Sequence, residues 1–257
     1  MPGTLYVVSL PIGNADDITL RALHILRKVT VIAAESPERA QELLATYQIT
    51  TTLTSYHRKV QEEKTAVLIE WLRQGKHVAL VSDEGTPAIC DPGTYLISQV
   101  RNRGIPIVPI PGPSALLAAF SISGFQGKAF TFAGTLPVRR LTRLPFLRSF
   151  RLQPNPIIFF VPASIMTAAL QEIERVFGNR VILVARDMTK SGECFFHGRV
   201  RHALRAWQSD GVTGDLTLVI DGNSGKARRQ LSDKMRRLKS PISSGSSRGS
   251  RVRRTPG

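Results

Sequence analysis

Residues 77–93 read HVALVSDEGTPAICDPG. The apolar run His77 to Val81 has the look of a strand buried on both faces. It breaks into twelve residues that hold two prolines, two glycines and three carboxylates, and a helical pattern opens at once from Thr94 to Arg103, ended by Gly104. Ligands of open α/β sheets sit outside the carboxyl ends of strands, and this long polar turn lies at such an end.

The pattern repeats on both sides. Upstream, Leu5-Tyr6-Val7-Val8 predicts a first strand. Asp16 or Asp17 then caps a helix with inward stripe Leu20, Leu23 and Leu26, and Val29 to Ala34 forms the next strand. Ser36-Pro37-Glu38 supplies a cap, a first-turn proline and an N-terminal acid to a helix through Leu43-Leu44. Val67, Leu68, Trp71 and Leu72 mark a helix stopped by Gly75. Downstream, Ile105 to Ile110 is a strand broken by Pro109. Strand and helix alternating at this spacing predict an α/β fold with a parallel sheet.

Pro111-Gly112-Pro113 turns the chain sharply into a short helix, Ser114 to Ser121, and sets the domain boundary. Residues 1–111 form an N-terminal α/β domain and residues 112–223 a C-terminal one. In the second, strands are expected at Ala129 to Ala133, Ile157 to Val161, Arg180 to Ala185 and Leu216 to Ile220, with helices at Ser164 to Phe177 and His202 to Trp207. Fewer crossover helices per strand predict a mixed sheet.

The 257 residues carry a formal net charge of +16, of which +10 falls in residues 224–257. That Ser/Gly/Arg-rich tail has too little apolar surface to fold alone, and solvated extension and phosphate-backbone binding are both open readings of it. Cys90 and Cys194 match no metal or redox spacing, and the five histidines form no ligand cluster, so no metal is expected. There is no leader-like N-terminus and no 18-residue apolar run, which points to a cytoplasmic protein without membrane spans.

The turns Pro11-Ile12-Gly13-Asn14, Glu35-Ser36 and Ser82 to Gly93 follow three strands, so they line one crevice. No GxGxxG follows the first strand, no GxxxxGK[ST] occurs, and no GxSxG elbow is present, which disfavours dinucleotides, nucleoside triphosphates and a serine hydrolase.

Three stretches in order, LYVVSLPIGNADDITLRAL (5–23), VALVSDEGTPAICDPG (78–93) and VPIPGPSALLAA (108–119), resemble the tetrapyrrole methylase superfamily. The resemblance is closest to its branch called ribosomal RNA small subunit methyltransferase I and runs from about residue 3 to residue 222, with VARDMTK (184–190) and GDLTLVIDG (214–222) similar to later motifs of that branch. It implies a two-domain fold, usually homodimeric, with S-adenosylmethionine in the cleft between domains. It also implies methylation of the ribose 2′-hydroxyl of a cytidine in the ribosomal RNA of the 30S subunit.

On this resemblance Pro11, Asp83, Gly85, Thr86, Pro87, Ile89, Ser114 and Ala115 map onto cofactor loops, with Ala185 and Leu216 beside the adenine. The acceptor hydroxyl must lose a proton, and Glu35, at a strand end beside the cleft, is the leading acceptor, with Asp83 and His57 as competitors. The basic stretch PVRRLTRLPFLRSFR (137–151) offers Arg139, Arg140, Arg143 and Arg148 to RNA phosphates, with Arg186 and Lys190 as further contacts; an exposed helix face is the competing reading.

Several positions depart from the branch pattern. Ala34-Glu35-Ser36-Pro37-Glu38 stands for Ala-Glu-Asp-Thr-Arg, SDEGTP for SDAGTP, and Phe160-Val161-Pro162-Ala163-Ser164-Ile165 for Tyr-Glu-Ser-Pro-His-Arg. The basic tail takes the place of a small helical module. A non-catalytic relative that binds RNA or a partner, and a methylase of a small tetrapyrrole-like metabolite, are the alternatives to an RNA methyltransferase.

Overall fold

The computed structural model describes residues 1–127, 129–207 and 212–223; the basic tail lies outside them. Two five-stranded sheets follow one another along the chain.

The first sheet contains β1 (Leu5–Val8), β2 (Val31–Ala34), β3 (Leu53–Ser55), β4 (Val78–Val81) and β5 (Ile107–Ile110), in the order β3-β2-β4-β1-β5. Every pairing is parallel, as expected. Helices α1 (Leu20–Lys28), α2 (Pro37–Thr46), α3 (Gln61–Arg73) and α4 (Thr94–Arg101) make the crossovers. β2 and β4 are buried at all four positions, because apolar layers cover both faces of the sheet.

Four local expectations need correction. Asp16 and Asp17 sit in a single 3-10 turn capped by Asn14, and α1 is capped by Thr19, whose hydroxyl accepts from Ala22 N–H. Leu20 points outward at 86% exposure, and Ala22, Leu23 and Leu26 form the inward stripe. Ser36 precedes α2 but makes no capping bond there. Pro109 does not break β5: that strand is the sheet edge, where a missing N–H removes no ladder bond.

The second sheet contains β6 (Thr131–Thr135), β7 (Ile157–Val161), β8 (Val181–Arg186), β9 (Cys194–Arg199) and β10 (Leu216–Ile220), in the order β6-β7-β10-β8-β9. β6 and β7 run parallel and the other pairs antiparallel, so the sheet is mixed as expected. α6 (Arg140–Ser149), α7 (Met166–Phe177) and α8 (Val200–Ala206) accompany it. One face packs on α6 and α7 through Leu147, Phe159, Leu170 and Ile173. The other face takes α5 (Ala115–Ser121), with Ala119 against Ile158, Ala185 and Val219. The segment just after Pro111-Gly112-Pro113 thus packs on the second sheet.

Candidate active site

β4, β1 and β5 are neighbours, so the turns that follow them emerge side by side. They are fastened to one another. Leu10 and Gly85 exchange backbone bonds, Leu10 N–H to Gly85 O at 2.8 Å and Gly85 N–H to Leu10 O at 3.1 Å. Gly85 holds φ at +68°, a conformation that side chains disfavour, and so lets the β4 turn fold back onto the β1 turn. Ser9 and Thr86 share a hydroxyl–hydroxyl bond of 2.9 Å beneath this bridge.

Above the turns lies a cavity of about 450 Å³, a common size for a small-molecule site. The first half contributes Ile12, Glu84, Gly85, Thr86, Ile89, Cys90, Asp91 and the α5 entry Ser114-Ala115-Leu116. The second sheet closes it with Thr135, Phe160 to Ala163, Met188, Lys190 and Gly214 to Thr217. Thr135 ends a register shift in β6, and its hydroxyl lies 3.9 Å from Cys90 Sγ across the cavity. The charged lining residues are Glu84, Asp91, Asp215 and Lys190, so carboxylates outnumber cations and the wall suits a cationic ligand.

Asp91 is a wall carboxylate in a perturbed setting. Burial, then Asp83, push its pKa above the usual 3.8, with Glu84 adding to this and the Arg58 guanidinium opposing it. Glu35 is also raised, by burial first and then by Asp91 and Asp83. Arg58 is anchored next to this group, donating from Nη2 to Cys90 O at 2.9 Å. Burial likewise raises the Cys90 thiol.

Of the residues expected at the cofactor, Gly85, Thr86, Ile89, Ser114, Ala115 and Leu216 line the cavity. Four do not. Pro11 and Pro87 are buried beneath the turns, and Ala185 is buried under α5. Asp83 accepts from Ser36 N–H at 3.0 Å, from Ser36 Oγ at 2.9 Å and from Arg39 at 3.3 Å, so its carboxylate ties the β4 turn to the start of α2. Glu35 and His57 are half-buried and absent from the cavity wall, whose carboxylates are Glu84, Asp91 and Asp215; sequence reasoning assigned none of these a role at the site.

The expected phosphate contacts divide. Arg139, Arg140 and Arg148 are exposed on and beside α6, four to thirteen residues beyond Thr135. Arg143 is a correction. It is 3% exposed, donates to Glu172 at 2.7 and 3.2 Å, and donates to the carbonyls of Pro137 and Val138. Such an arginine holds α6 to α7 and has no face left for RNA. Arg186 lies over Trp207 at 5.8 Å and donates to Gly192 O, and Lys190 is paired with Glu84 and Asp215, so neither presents a free cation.

The family described as Tetrapyrrole (Corrin/Porphyrin) Methylases matches residues 4–204. A ribosomal RNA small subunit methyltransferase I of Thermotoga maritima is 38% identical over 220 residues, 86% of this chain and 99% of that protein. The protein of the same name from Escherichia coli O157:H7 is 35% identical over 240 residues, 92% of this chain and 84% of its own length. Among solved structures, uroporphyrin-III C-methyltransferase from Thermus thermophilus, complexed with S-adenosyl homocysteine, superposes with a TM-score of 0.61 at 21% identity, covering 87% of this chain and 99% of that one. At that identity the superposition establishes the fold.

Proposed function

We propose, for a chain that belongs to the tetrapyrrole methylase family and to its ribosomal RNA small subunit methyltransferase I branch, that it is an S-adenosylmethionine-dependent methyltransferase acting on the 2′-hydroxyl of a cytidine ribose in small-subunit ribosomal RNA. The carrying observation is the continuity of the family match. Residues 4–204 take in the first sheet, four of the five strands of the second (all but β10) and every part of the cavity wall except Gly214 to Thr217.

The residues present fit the cofactor. S-adenosylmethionine supplies a methyl group on a cationic sulfonium, and the excess of carboxylates on the wall stabilises positive charge. Ile12, Phe160, Met188 and Leu216 give the apolar surface that an adenine ring needs. Asp91 holds the proton that the ribose hydroxyl loses. Burial and the neighbouring Asp83 raise its pKa, which makes it a stronger base than an exposed aspartate. The rigid turns hold the acceptor in line, where much of the rate of a displacement originates.

RNA approaches over the start of α6, where Arg139 and Arg140 follow the cavity residue Thr135 along the chain, and Arg148 extends the basic face. The domain boundary at 111/112 belongs to the same reading, supported by the packing of α5 on the second sheet. So does a homodimer, for which Leu117 and Ile122, 54% and 50% exposed, supply apolar surface. No helix among the described residues is long and apolar enough to cross a membrane, in keeping with a cytoplasmic enzyme.

Incubation with methyl-labelled S-adenosylmethionine tests this reading. Label should enter the RNA of 30S subunits that lack the ribose mark. Label in uroporphyrinogen-type substrates instead would move the chain to the metabolite methylases, and label in neither would leave a non-catalytic binder.

A further inference from the structure

Lys190 joins the two halves of the cavity wall. Its Nζ lies 2.7 Å from Glu84 Oε1, on the turn after β4, and 2.6 Å from Asp215 Oδ2, just before β10. Among the described residues, Lys190–Glu84 is the only ion pair that links the first half of the chain to the second. Burial works against the Lys190 charge, but the bonds to Asp215 and Glu84 outweigh it and raise its pKa, so the ammonium is charged at neutral pH.

The surrounding turn is shaped to hold Lys190 there. Asp187 and Thr189 sit at φ 49° and 66°, and Thr189 N–H donates to Glu193 at 2.7 Å. Thr189 Oγ1 accepts the Asn14 N–H at 2.9 Å, a second tie across the cleft. Gly13 makes this approach possible: a Cβ there would lie 2.5 Å from Lys190 Cγ and 2.6 Å from Thr189 Oγ1. Glu84, the third residue of the turn SDEGTP, supplies the anionic partner from the first half.

We propose that Glu84 and Lys190 form an ionic latch across the pocket, which opens for the cofactor to leave and so slows its exchange. The latch rests on the reading of this cavity as the S-adenosylmethionine site. Both residues act as positioning groups. Glu84 and Lys190 side chains are 39% and 27% exposed, which places the pair within reach of screening by salt.

Surface plasmon resonance on the full chain, with S-adenosyl homocysteine as the flowing ligand, reads the release rate. Glu84→Ala and Lys190→Met should each release it roughly two- to fivefold faster, the range of a partly exposed pair. Wild-type release should quicken between about 50 mM and about 500 mM salt, while both variants stay flat. The double variant should be no faster than either single one. Asp215→Asn keeps the cross-cleft bond and should keep the salt dependence. Additive effects in the double variant, or a Glu84→Ala protein with wild-type release and salt response, would overturn the latch. A second readout separates the two ideas. If wild type binds no cofactor, the site reading fails, and the latch is judged by amide exchange in the ligand-free chain. Faster exchange at the Asn14 N–H in Glu84→Ala supports it, and equal rates overturn it.

Discussion

Replacing Arg143 by methionine distinguishes a structural arginine from a phosphate contact. Arg143 and Glu172 are 3% and 6% exposed, and two short bonds join them. The single replacement leaves a buried carboxylate whose remaining cation, Arg140, is 3.5 Å away and 67% exposed. Breaking a buried pair on one side costs about 3–5 kcal/mol, and partial rescue by Arg140 puts this case near the lower figure. Against a total stability of about 5–15 kcal/mol that is a severe loss. A loss of about 3 kcal/mol lowers Tm by roughly 6–12 °C in a chain of this size. The double variant Arg143→Met, Glu172→Met removes both charges and should regain most of the loss, since apolar replacement of a buried pair is often neutral. Urea unfolding gives the stability, and binding to 30S RNA at several salt concentrations gives the electrostatic slope. The folded double variant should show the wild-type slope, whereas Arg139→Gln should flatten it by about 0.7–0.9. A flattened slope in the double variant, with little change in Arg143→Met stability, would refute the assignment.

Other outcomes follow from the site. Asp91→Asn should abolish methyl transfer while leaving cofactor binding measurable by calorimetry; retained turnover would remove Asp91 from the reaction. Because the folded pKa of Asp91 is raised, the folded chain keeps a proton that the unfolded chain has lost, so stability falls as pH rises from about the ordinary 3.8 through the raised value. Asp91→Asn should therefore raise Tm at neutral pH, and a lowered Tm would mean that the carboxylate contributes bonds the structure does not show. The Arg58 guanidinium lowers both Asp91 and Glu35, so Arg58→Met should move the acid limb of the pH–rate profile to higher pH; an unmoved limb would exclude this coupling. Asp83→Ala should cost about 1–3 kcal/mol through its lost bonds to Ser36 and Arg39. Its dissociation constant for S-adenosyl homocysteine should change less than about threefold, and a tenfold weakening would return Asp83 to the ligand.

The first sheet was legible because its strands are apolar runs and glycines or prolines punctuate its turns. The turns after β1 and β4 were located by those signals, whereas the third crevice turn was expected after β2, at Glu35-Ser36, and the cavity wall takes Ser114 to Leu116, beyond β5, instead. β3 and β9 escaped: Leu53–Ser55 is a three-residue edge strand, and Cys194–Arg199 lies at the other sheet's edge, with most of its positions exposed. α6 contains Pro145, which masks its helical period. The far wall of the cavity was opaque for a different reason. Thr135, Phe160, Met188 and Asp215 come from separate elements with no common spacing, and only the folded sheet brings them together. Charge told least about role. Arginine in a basic run reads the same in sequence whether it faces solvent, as Arg139 does, or closes a buried pair, as Arg143 does.

A structure of the chain grown with S-adenosyl homocysteine would test the placement of the methyl donor most directly. The ligand should lie between the sheets, against Gly85, Asp91 and Leu216, with Lys190 and Glu84 closed beside it. Ligand bound on another surface, or an empty cavity at saturating concentration, would contradict the account.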